Sequence, residues 1–206
     1  MILLAYDSSG PTLSGAVYRD GKKLAGLHSE PGVRHSTVLV PMIGELLKKA
    51  RLKLKDVDVI AVGVGPGSFT GLRVGIATAK ILGYVLKKKI VGVSSLEALA
   101  RTVSAGKNIR IAVALDARKG QVYGAMYERI GDRFKMTMKP SLLDEKKFRA
   151  RCAKADVTAR ENEVSSISGL AEGALSRIRG KKFIDAFRLE PLYLHPKDCN
   201  VTLPKK

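Results

Sequence analysis

Residues Val57–Gly75, VDVIAVGVGPGSFTGLRVG, decide the fold. The apolar, β-branched run VDVIAV is typical of a buried strand. A glycine-rich turn follows, and Ser68 is predicted as the N-cap of a helix that ends near Tyr84. The turn has neither the GK[ST] ending of a Walker loop nor the spacing of a GxGxxG motif. The functional interpretation therefore depends on the helix.

This helix carries small residues every four positions, at Gly71, Gly75, Ala79 and Gly83. Positions four apart lie on one helical face. Each glycine inside a helix costs about 1 kcal/mol relative to alanine, so the pattern indicates close backbone packing against a second element. Arg73 and Lys80 exclude a membrane span. Two interpretations remain open: packing within the same domain, or a docking face for a second protein chain.

Length and composition limit the class of protein. The chain has 206 residues, of which 45% are hydrophobic, enough for one large or two small domains. The start, MILLAYDSSG, lacks the basic region of a signal peptide, and no apolar run is long enough to span a membrane. We therefore expect a soluble, cytoplasmic protein. Cys152 and Cys199 have no metal-site spacing, so neither a metal site nor a disulfide framework is predicted.

The chain is strongly basic. It has 37 Lys and Arg against 19 Asp and Glu, a net charge of +18. Short basic clusters occur at Lys87–Lys89, Lys146–Arg151 and Lys181–Lys182. Such a surface attracts nucleic acid or an acidic partner. Only 5% of residues are aromatic, and no stacking platform is visible beside the clusters. The charge alone indicates no more than proximity to RNA.

The order of predicted elements in residues 1–104 is βββαβαβα. The first helix, His35–Ala50, carries an apolar stripe at i, i+3, i+4, i+7 and i+8, made of Leu39, Met42, Ile43, Leu46 and Leu47. Meandering strands followed by alternating helices and strands build a mixed α/β sheet covered by helices. A less regular second half begins near residue 105.

Several segments resemble one known family. They are LLAYDSS, HSTVLVPMIGELL, VGVGPGSFTGLRVGIATAK, VGVSSLEALA, LDARKGQVYGAMY and EPLYL. Together they resemble the TsaB (YeaZ) family, within the superfold shared by actin, hexokinase and the chaperone ATPases. The resemblance implies two ATPase-like domains. Residues 1–104 would form the first, with partner-docking helices, and residues 105–206 a smaller, degenerate second one with a basic C-terminal tail.

The resemblance also implies a function. The family is the non-catalytic partner in the bacterial synthesis of threonylcarbamoyladenosine on tRNA. It binds its paralogue TsaD, which carries the metal and the transfer chemistry, and the ATPase TsaE joins the assembly. ATP and metal are thus expected in the partner subunits, with no cofactor in this chain. A homodimer is expected when the protein is alone, and tRNA is expected to be reached through the complex.

The resemblance places the docking surface on the first two helices, here His35–Ala50 and Phe69–Tyr84. It agrees with the small-residue stripe and favours the docking interpretation. The predicted interface residues are His35, Leu39, Met42, Ile43, Leu46, Gly71, Gly75, Ala79 and Gly83.

No catalytic residue is predicted. Asp7 ends the first strand, where kinases and ATPases of this superfold place an aspartate that directs metal and phosphate. Here Ser9 stands where those enzymes favour glycine, so Asp7, Ser8 and Ser9 are interpreted as a vestigial nucleotide site or a cap of the hairpin. An ATP-dependent phosphotransferase is the alternative function.

Metal and peptidase chemistry have little support in the sequence. The metal-binding paralogue has histidines at i and i+4, but here His35 is followed by Leu39, which cannot ligate. A peptidase needs a Ser/His/Asp set, a Cys/His set or a metal site, and no such set lies in a recognisable catalytic motif here. Asp116, Arg118 and Tyr123 lie in a motif that the family shares, interpreted here as a structural turn.

Overall fold

The computed structural model describes residues 1–103, 106, 108–160 and 166–194. Cys199, His195 and the predicted basic tail lie outside the described residues. The first half contains β1 (Ile2–Asp7), β2 (Ser14–Arg19), β3 (Lys22–His28), α1 (His35–Lys49), β4 (Val59–Gly63), α2 (Phe69–Val85), β5 (Lys89–Val93) and α3 (Ser95–Thr102). The second contains β6 (Asn108–Arg118), β7 (Gln121–Ile130), β8 (Arg133–Asp144), α4 (Glu145–Arg151), β9 (Val157–Arg160) and α5 (Ile167–Arg179).

The first sheet has five strands in the order β3-β2-β1-β4-β5. β1 is antiparallel to β2 and parallel to β4, and β5 continues the parallel part. Asp20 and Gly21 form the two-residue turn between β2 and β3, with φ angles of 50° and 82°. Both values are left-handed, as a tight hairpin requires. The predicted order βββαβαβα and its hairpin are confirmed.

The second sheet repeats the first in reduced form. Its strand order is β8-β7-β6-β9, with β6 antiparallel to β7 and parallel to β9. This matches the arrangement of β3, β2, β1 and β4. The two halves are therefore variants of one pattern, and the predicted fold class, two actin-like α/β halves with a degenerate second one, is confirmed.

Both faces of the first sheet are buried. On one face Leu4 and Tyr6 of β1 pack with apolar residues of α1 and α2. On the other face Leu3 and Ala5 pack with α5, through Leu170 among others. Alternate residues of a strand point to opposite faces, so β1 supplies both cores. Its six residues are all buried, which explains its continuous apolar run.

The C-terminal segment does not stay with the second sheet. Helix α5 packs on the first sheet beside α3, and the chain then runs along β5, where the Ile184 N–H donates to the Ile90 carbonyl at 2.9 Å. Farther on, the Leu192 N–H donates to the Val64 carbonyl at 2.7 Å. The predicted boundary at 104/105 falls between β5 of the first sheet and β6 of the second. Helix α5, predicted as part of the second domain, packs on the first sheet, because apolar periodicity predicts a buried helix without saying which sheet buries it.

Helix α2 approaches the end of β1 more closely than side chains would allow. A Cβ at Gly71 would overlap the Ser8 carbonyl oxygen, and one at Gly75 would overlap the Ser8 hydroxyl. The Ser8 hydroxyl donates to the Gly71 carbonyl at 2.8 Å, and the Tyr6 hydroxyl donates to the Gly75 carbonyl at 3.0 Å. The close packing inferred from the small-residue stripe is present, and its partner is β1 of the same chain.

The prediction that the stripe forms an exposed docking face is therefore wrong. Gly71, Gly75, Ala79 and Gly83 are all buried, and a Cβ at Gly83 would overlap Ile90. The apolar stripe of α1 is also internal, since Leu39, Met42, Ile43 and Leu46 are at most 8% exposed. Residues that allow close approach are needed wherever two backbones meet, and the sequence does not say whether the second backbone belongs to another chain.

Two helical glycines provide a matched test of this packing. Gly71→Ala places a methyl group against the backbone at Ser8, and overpacking of this kind costs about 1–3 kcal/mol. Gly44, on the exposed side of α1, has nothing within 4 Å of its Cβ position. Gly44→Ala should therefore stabilise the protein by up to about 1 kcal/mol through helix propensity.

Thermal unfolding of the two variants distinguishes the interpretations. We expect Gly71→Ala to lower Tm by several degrees and Gly44→Ala to raise it by about 2–4 °C, the usual shift per kcal/mol for a chain of this size. An equal rise in both variants would show that α2 does not contact β1 in this way.

Candidate functional site

The carboxyl end of β1 carries a buried polar cluster around Asp7. The side chain is 5% exposed, and both of its carboxylate oxygens accept hydrogen bonds. One accepts the Ser9 backbone N–H at 2.8 Å, and the other accepts the Ser95 hydroxyl at 2.8 Å. The hydroxyls of Ser9 and Ser95 are also 2.8 Å apart. The carboxylate thus holds the turn after β1 to the start of α3.

The surroundings leave Asp7 little room. Gly63, at the end of β4, lies directly beside the carboxylate, and a Cβ there would overlap it. Burial raises the pKa of Asp7, against the opposing effect of hydrogen bonds from Ser9 and Ser95 and of the nearby His35. A carboxylate that is enclosed and paired in this way suits a structural cap better than a ligand for metal or phosphate.

Ser8 and Ser9 join this turn to both helices. The Ser9 carbonyl accepts the Ser68 N–H at 2.7 Å, at the N-cap of α2. The Ser8 carbonyl lies 3.1 Å from His35 Nδ1, at the first residue of α1. Asp7, Ser8 and Ser9, predicted as a vestigial nucleotide site or a hairpin cap, therefore lie together with His35 in one hydrogen-bonded cluster, which we call the polar corner.

Above this corner lies an open cleft of about 890 Å³ between the two halves. It is lined by the turn after β1, the start of α1 and α2, and the β6–β7 turn, including Asp116, Arg118 and Tyr123. The Arg118 N–H donates to the Asp116 carboxylate at 2.7 Å. Arg118 has a left-handed φ of 66°. These contacts fit the predicted structural turn and also place it at the mouth of the cleft.

The outer faces of α1 and α2 carry large apolar side chains in solvent. Val40 of α1 is 65% exposed, and Ile81 and Val85 of α2 are 62% and 67% exposed. The two helices contact each other on the same side of the first sheet. Monomeric proteins usually expose such residues singly, so a group of them on neighbouring helices marks a candidate interaction surface. We call this surface the helix face.

The predicted interface residues of α1 and α2 other than His35 lie on the inner sides of these helices, whereas the exposed apolar side chains lie on the outer sides. The stripe itself contained the missing signal: if Gly71 and Gly75 face inward, residues about half a turn away, such as Ala77 and Ile81, must face outward.

The chain is similar in sequence to a known family over most of its length. The model of the family TsaD: tRNA N6-adenosine threonylcarbamoyltransferase matches residues 28–174. The tRNA threonylcarbamoyladenosine biosynthesis protein TsaB of Escherichia coli K12 is 33% identical, covering 71% of this chain and 66% of that protein. TsaB of Buchnera aphidicola subsp. Acyrthosiphon pisum is 31% identical, covering 70% and 68%. The chain belongs to the TsaB (YeaZ) family.

A solved structure agrees with this membership. YeaZ from Pseudomonas aeruginosa superimposes with a TM-score of 0.80 at 25% identity, covering 94% of this chain and 99% of that one. The sequence matches are shorter: this chain spans 66%, 61% and 56% of the length of three TsaB relatives. Similarity in sequence is therefore concentrated in part of a fold that matches almost throughout.

The described residues contain neither a metal-binding cluster nor a helix fit to span a membrane. No group of three or more His, Cys, Asp or Glu side chains is placed to hold a metal ion there. In the same part of the chain, no helix is long and apolar enough to cross a membrane.

The raised pKa of Asp7 predicts a specific pH dependence. The folded protein holds this proton more tightly than the unfolded chain does, so the contribution of Asp7 to the free energy of unfolding falls as pH rises from about 4 through the raised pKa. Asp7→Asn does not titrate and retains an oxygen that can accept the Ser9 N–H. We expect the wild type to lose stability relative to Asp7→Asn as pH increases.

Urea unfolding of both proteins between about pH 4 and pH 8 measures this difference directly. Titrating groups that do not interact with Asp7 are common to the two proteins and cancel in the comparison. A wild type that instead gained stability over Asp7→Asn with rising pH would show that its surroundings favour the charged carboxylate.

Proposed function

We propose that this protein is a non-catalytic subunit of the machinery that forms threonylcarbamoyladenosine on tRNA. Its role would be to bind and activate a TsaD-type paralogue, with a TsaE-type ATPase in the same assembly, in the cytoplasm. The names of the TsaB relatives and of the matching family model support the pathway. The observation that carries the subunit role is the helix face, exposed on the two helices that the family uses for docking.

The helix face suits a protein partner better than water. Val40, Ile81 and Val85 are each more than 60% exposed, whereas the inner sides of α1 and α2 are fully used by the protein's own core. Burial of apolar side chains of this size stabilises a complex by about 1.5–3 kcal/mol each before the costs of association. Pairing with a second copy of this chain through the same face would explain a homodimer in the absence of the paralogue.

The polar corner supports the non-catalytic part of the proposal. The Asp7 carboxylate is occupied by Ser9 and Ser95, and the position where the metal-binding paralogue has its second histidine is taken by the buried Leu39. Leu39 is 1% exposed in the core beneath α1. ATP and metal are then supplied by the partner subunits.

The alternative, an ATP-dependent phosphotransferase, rests on the open cleft above Asp7. The cleft is large enough for a small-molecule ligand. This alternative requires Asp7 to act chemically, whereas the subunit proposal requires only that it hold the corner together.

A pair of isoleucines tests the docking surface. Ile81→Glu places a charge in the helix face, and Ile130→Glu makes the same change at the end of β7, where Ile130 is 53% exposed. Both variants should fold normally, because surface substitutions usually change stability by no more than about 0.5 kcal/mol. Affinity for the TsaD-type paralogue of the same organism, measured by calorimetry, should fall about 10-fold or more in Ile81→Glu only. Equal binding by both variants would exclude the helix face.

Complementation tests the function. In cells depleted of their own TsaB, we expect the wild type, Ile130→Glu and Asp7→Asn to restore threonylcarbamoyladenosine in tRNA, measured by mass spectrometry of nucleosides. Ile81→Glu should not restore it. If Asp7→Asn binds the paralogue normally but fails to restore the nucleoside, the phosphotransferase alternative gains support. Failure of the wild type in the presence of its own paralogue would contradict the proposed function.

A further inference from the structure

The fold places the segment after α5 alongside the basic cluster Lys87–Lys89. Lys87 and Lys88 lie between α2 and β5, and Lys89 begins β5. The bridge between Ile90 and Ile184 is antiparallel, so residues 185–187 run beside Lys87–Lys89 at one edge of the first sheet. The cluster Lys181–Lys182 lies on the other side of this bridge and does not line the groove described next.

Between the end of α2 and residues 183–187 lies a groove of about 780 Å³. Its lining side chains include Tyr84, Lys87, Lys88, Lys89, Phe183 and Phe187. Val85 of the helix face also lines it, so the groove adjoins that surface. The Lys88 ammonium donates to the Lys55 carbonyl at 2.7 Å, and the Lys89 ammonium lies 4.6 Å from the centre of the Phe183 ring. The groove also contains Asp185, whose carboxylate accepts the Phe187 N–H at 2.8 Å. The groove walls are positive and rich in aromatic rings.

Two of the rings are largely in solvent. Tyr84 is 64% exposed and Phe187 is 69% exposed, with ring centres 5.1 Å apart in an edge-to-face arrangement. The Lys80 ammonium lies 3.5 Å from the Phe187 carbonyl. The aromatic platform that was not visible from the sequence is thus assembled by the fold, next to the lysines.

We propose that this groove binds single-stranded RNA. Lysines at a groove edge neutralise phosphates, and exposed aromatic rings stack on unpaired bases. The proposal rests on the proposed function, which supplies tRNA as the RNA, whose loops expose unpaired bases. A docked protein fits the groove less well, because lysine is depleted from the cores of protein interfaces. An acidic protein surface would use the same charges, and polyglutamate represents this competing ligand in the test.

Fluorescence anisotropy with the full chain tests the proposal. The probes are a labelled oligouridylate of about 12 nucleotides, since single-strand sites cover about 4–16, and an unmodified tRNA transcript. Lys87→Gln/Lys89→Gln removes two charges from the groove, and Lys146→Gln/Lys147→Gln removes two charges from α4 as the matched control. Tyr84→Leu keeps an apolar side chain but removes the ring.

We expect the wild type to bind both probes with an affinity that falls as salt increases. Lys87→Gln/Lys89→Gln should bind about 10-fold more weakly at low salt, with the slope of log K against log salt reduced by about 1.4. Tyr84→Leu should bind about 5- to 150-fold more weakly with an unchanged slope, the range expected for one lost stacking contact. Lys146→Gln/Lys147→Gln should resemble the wild type.

Three results would overturn the proposal. The wild type could bind neither probe, or the α4 control could lose as much affinity as the groove variant. Alternatively, Tyr84→Leu could bind normally while polyglutamate displaces the RNA, which would indicate an acidic protein ligand. Affinity for the TsaD-type paralogue, measured on the same variants, separates these failures from failure of the proposed function. Groove variants that bind the paralogue normally leave that function intact whatever the RNA result.

Discussion

Where α2 crosses the end of β1 there is room for a hydrogen atom but none for a methyl group. Gly71 and Gly75 lie against Ser8, and the carbonyls of both glycines accept hydroxyls from β1 and the turn after it. Because these two positions have no side chain, the backbones of α2 and of the turn after β1 can meet. The contact also fixes the rotation of α2 about its axis. With the glycines turned inward, Ile81 and Val85 are held outward.

The same contact determines what the polar corner can do. Because α2 lies so close to β1, the Ser9 carbonyl can accept the Ser68 N–H at the start of α2. The Asp7 carboxylate is enclosed between Gly63 and Ser95. An aspartate that binds a metal ion needs a carboxylate oxygen free to coordinate it. Here its hydrogen-bonding capacity goes to holding β1, its following turn and α3 together. The corner is thus a structural joint beneath an open cleft.

Much of the fold could be predicted from the sequence, because periodicity reports local structure directly. The strand at Val59–Gly63, the N-cap at Ser68 and the hairpin at Asp20 each depend on residues within a few positions. The return of α5 to the first sheet could not be predicted in this way, because its apolar side fits either sheet.

The candidate sites were harder to predict for a related reason. The glycine stripe has the same appearance whether it packs against β1 or against another chain. The sequence pattern therefore does not show which side of α2 faces the core and which faces solvent. Tyr84 and Phe187 are separated by more than a hundred residues, so no sequence pattern indicates that their rings meet. Tyr84 is close to Lys87 in the sequence, and the bridge from Ile90 to Ile184 brings Phe187 beside both.

The central claim is that this protein acts by docking a partner on the outer sides of α1 and α2 while its cleft does no chemistry. Hydrogen exchange of the chain with and without the TsaD-type paralogue tests it most directly. The account predicts slower exchange in peptides from α1 and α2 that contain Val40, Ile81 and Val85, with little change around Asp116–Gly120. Protection confined to the cleft, with α1 and α2 unchanged, would contradict it.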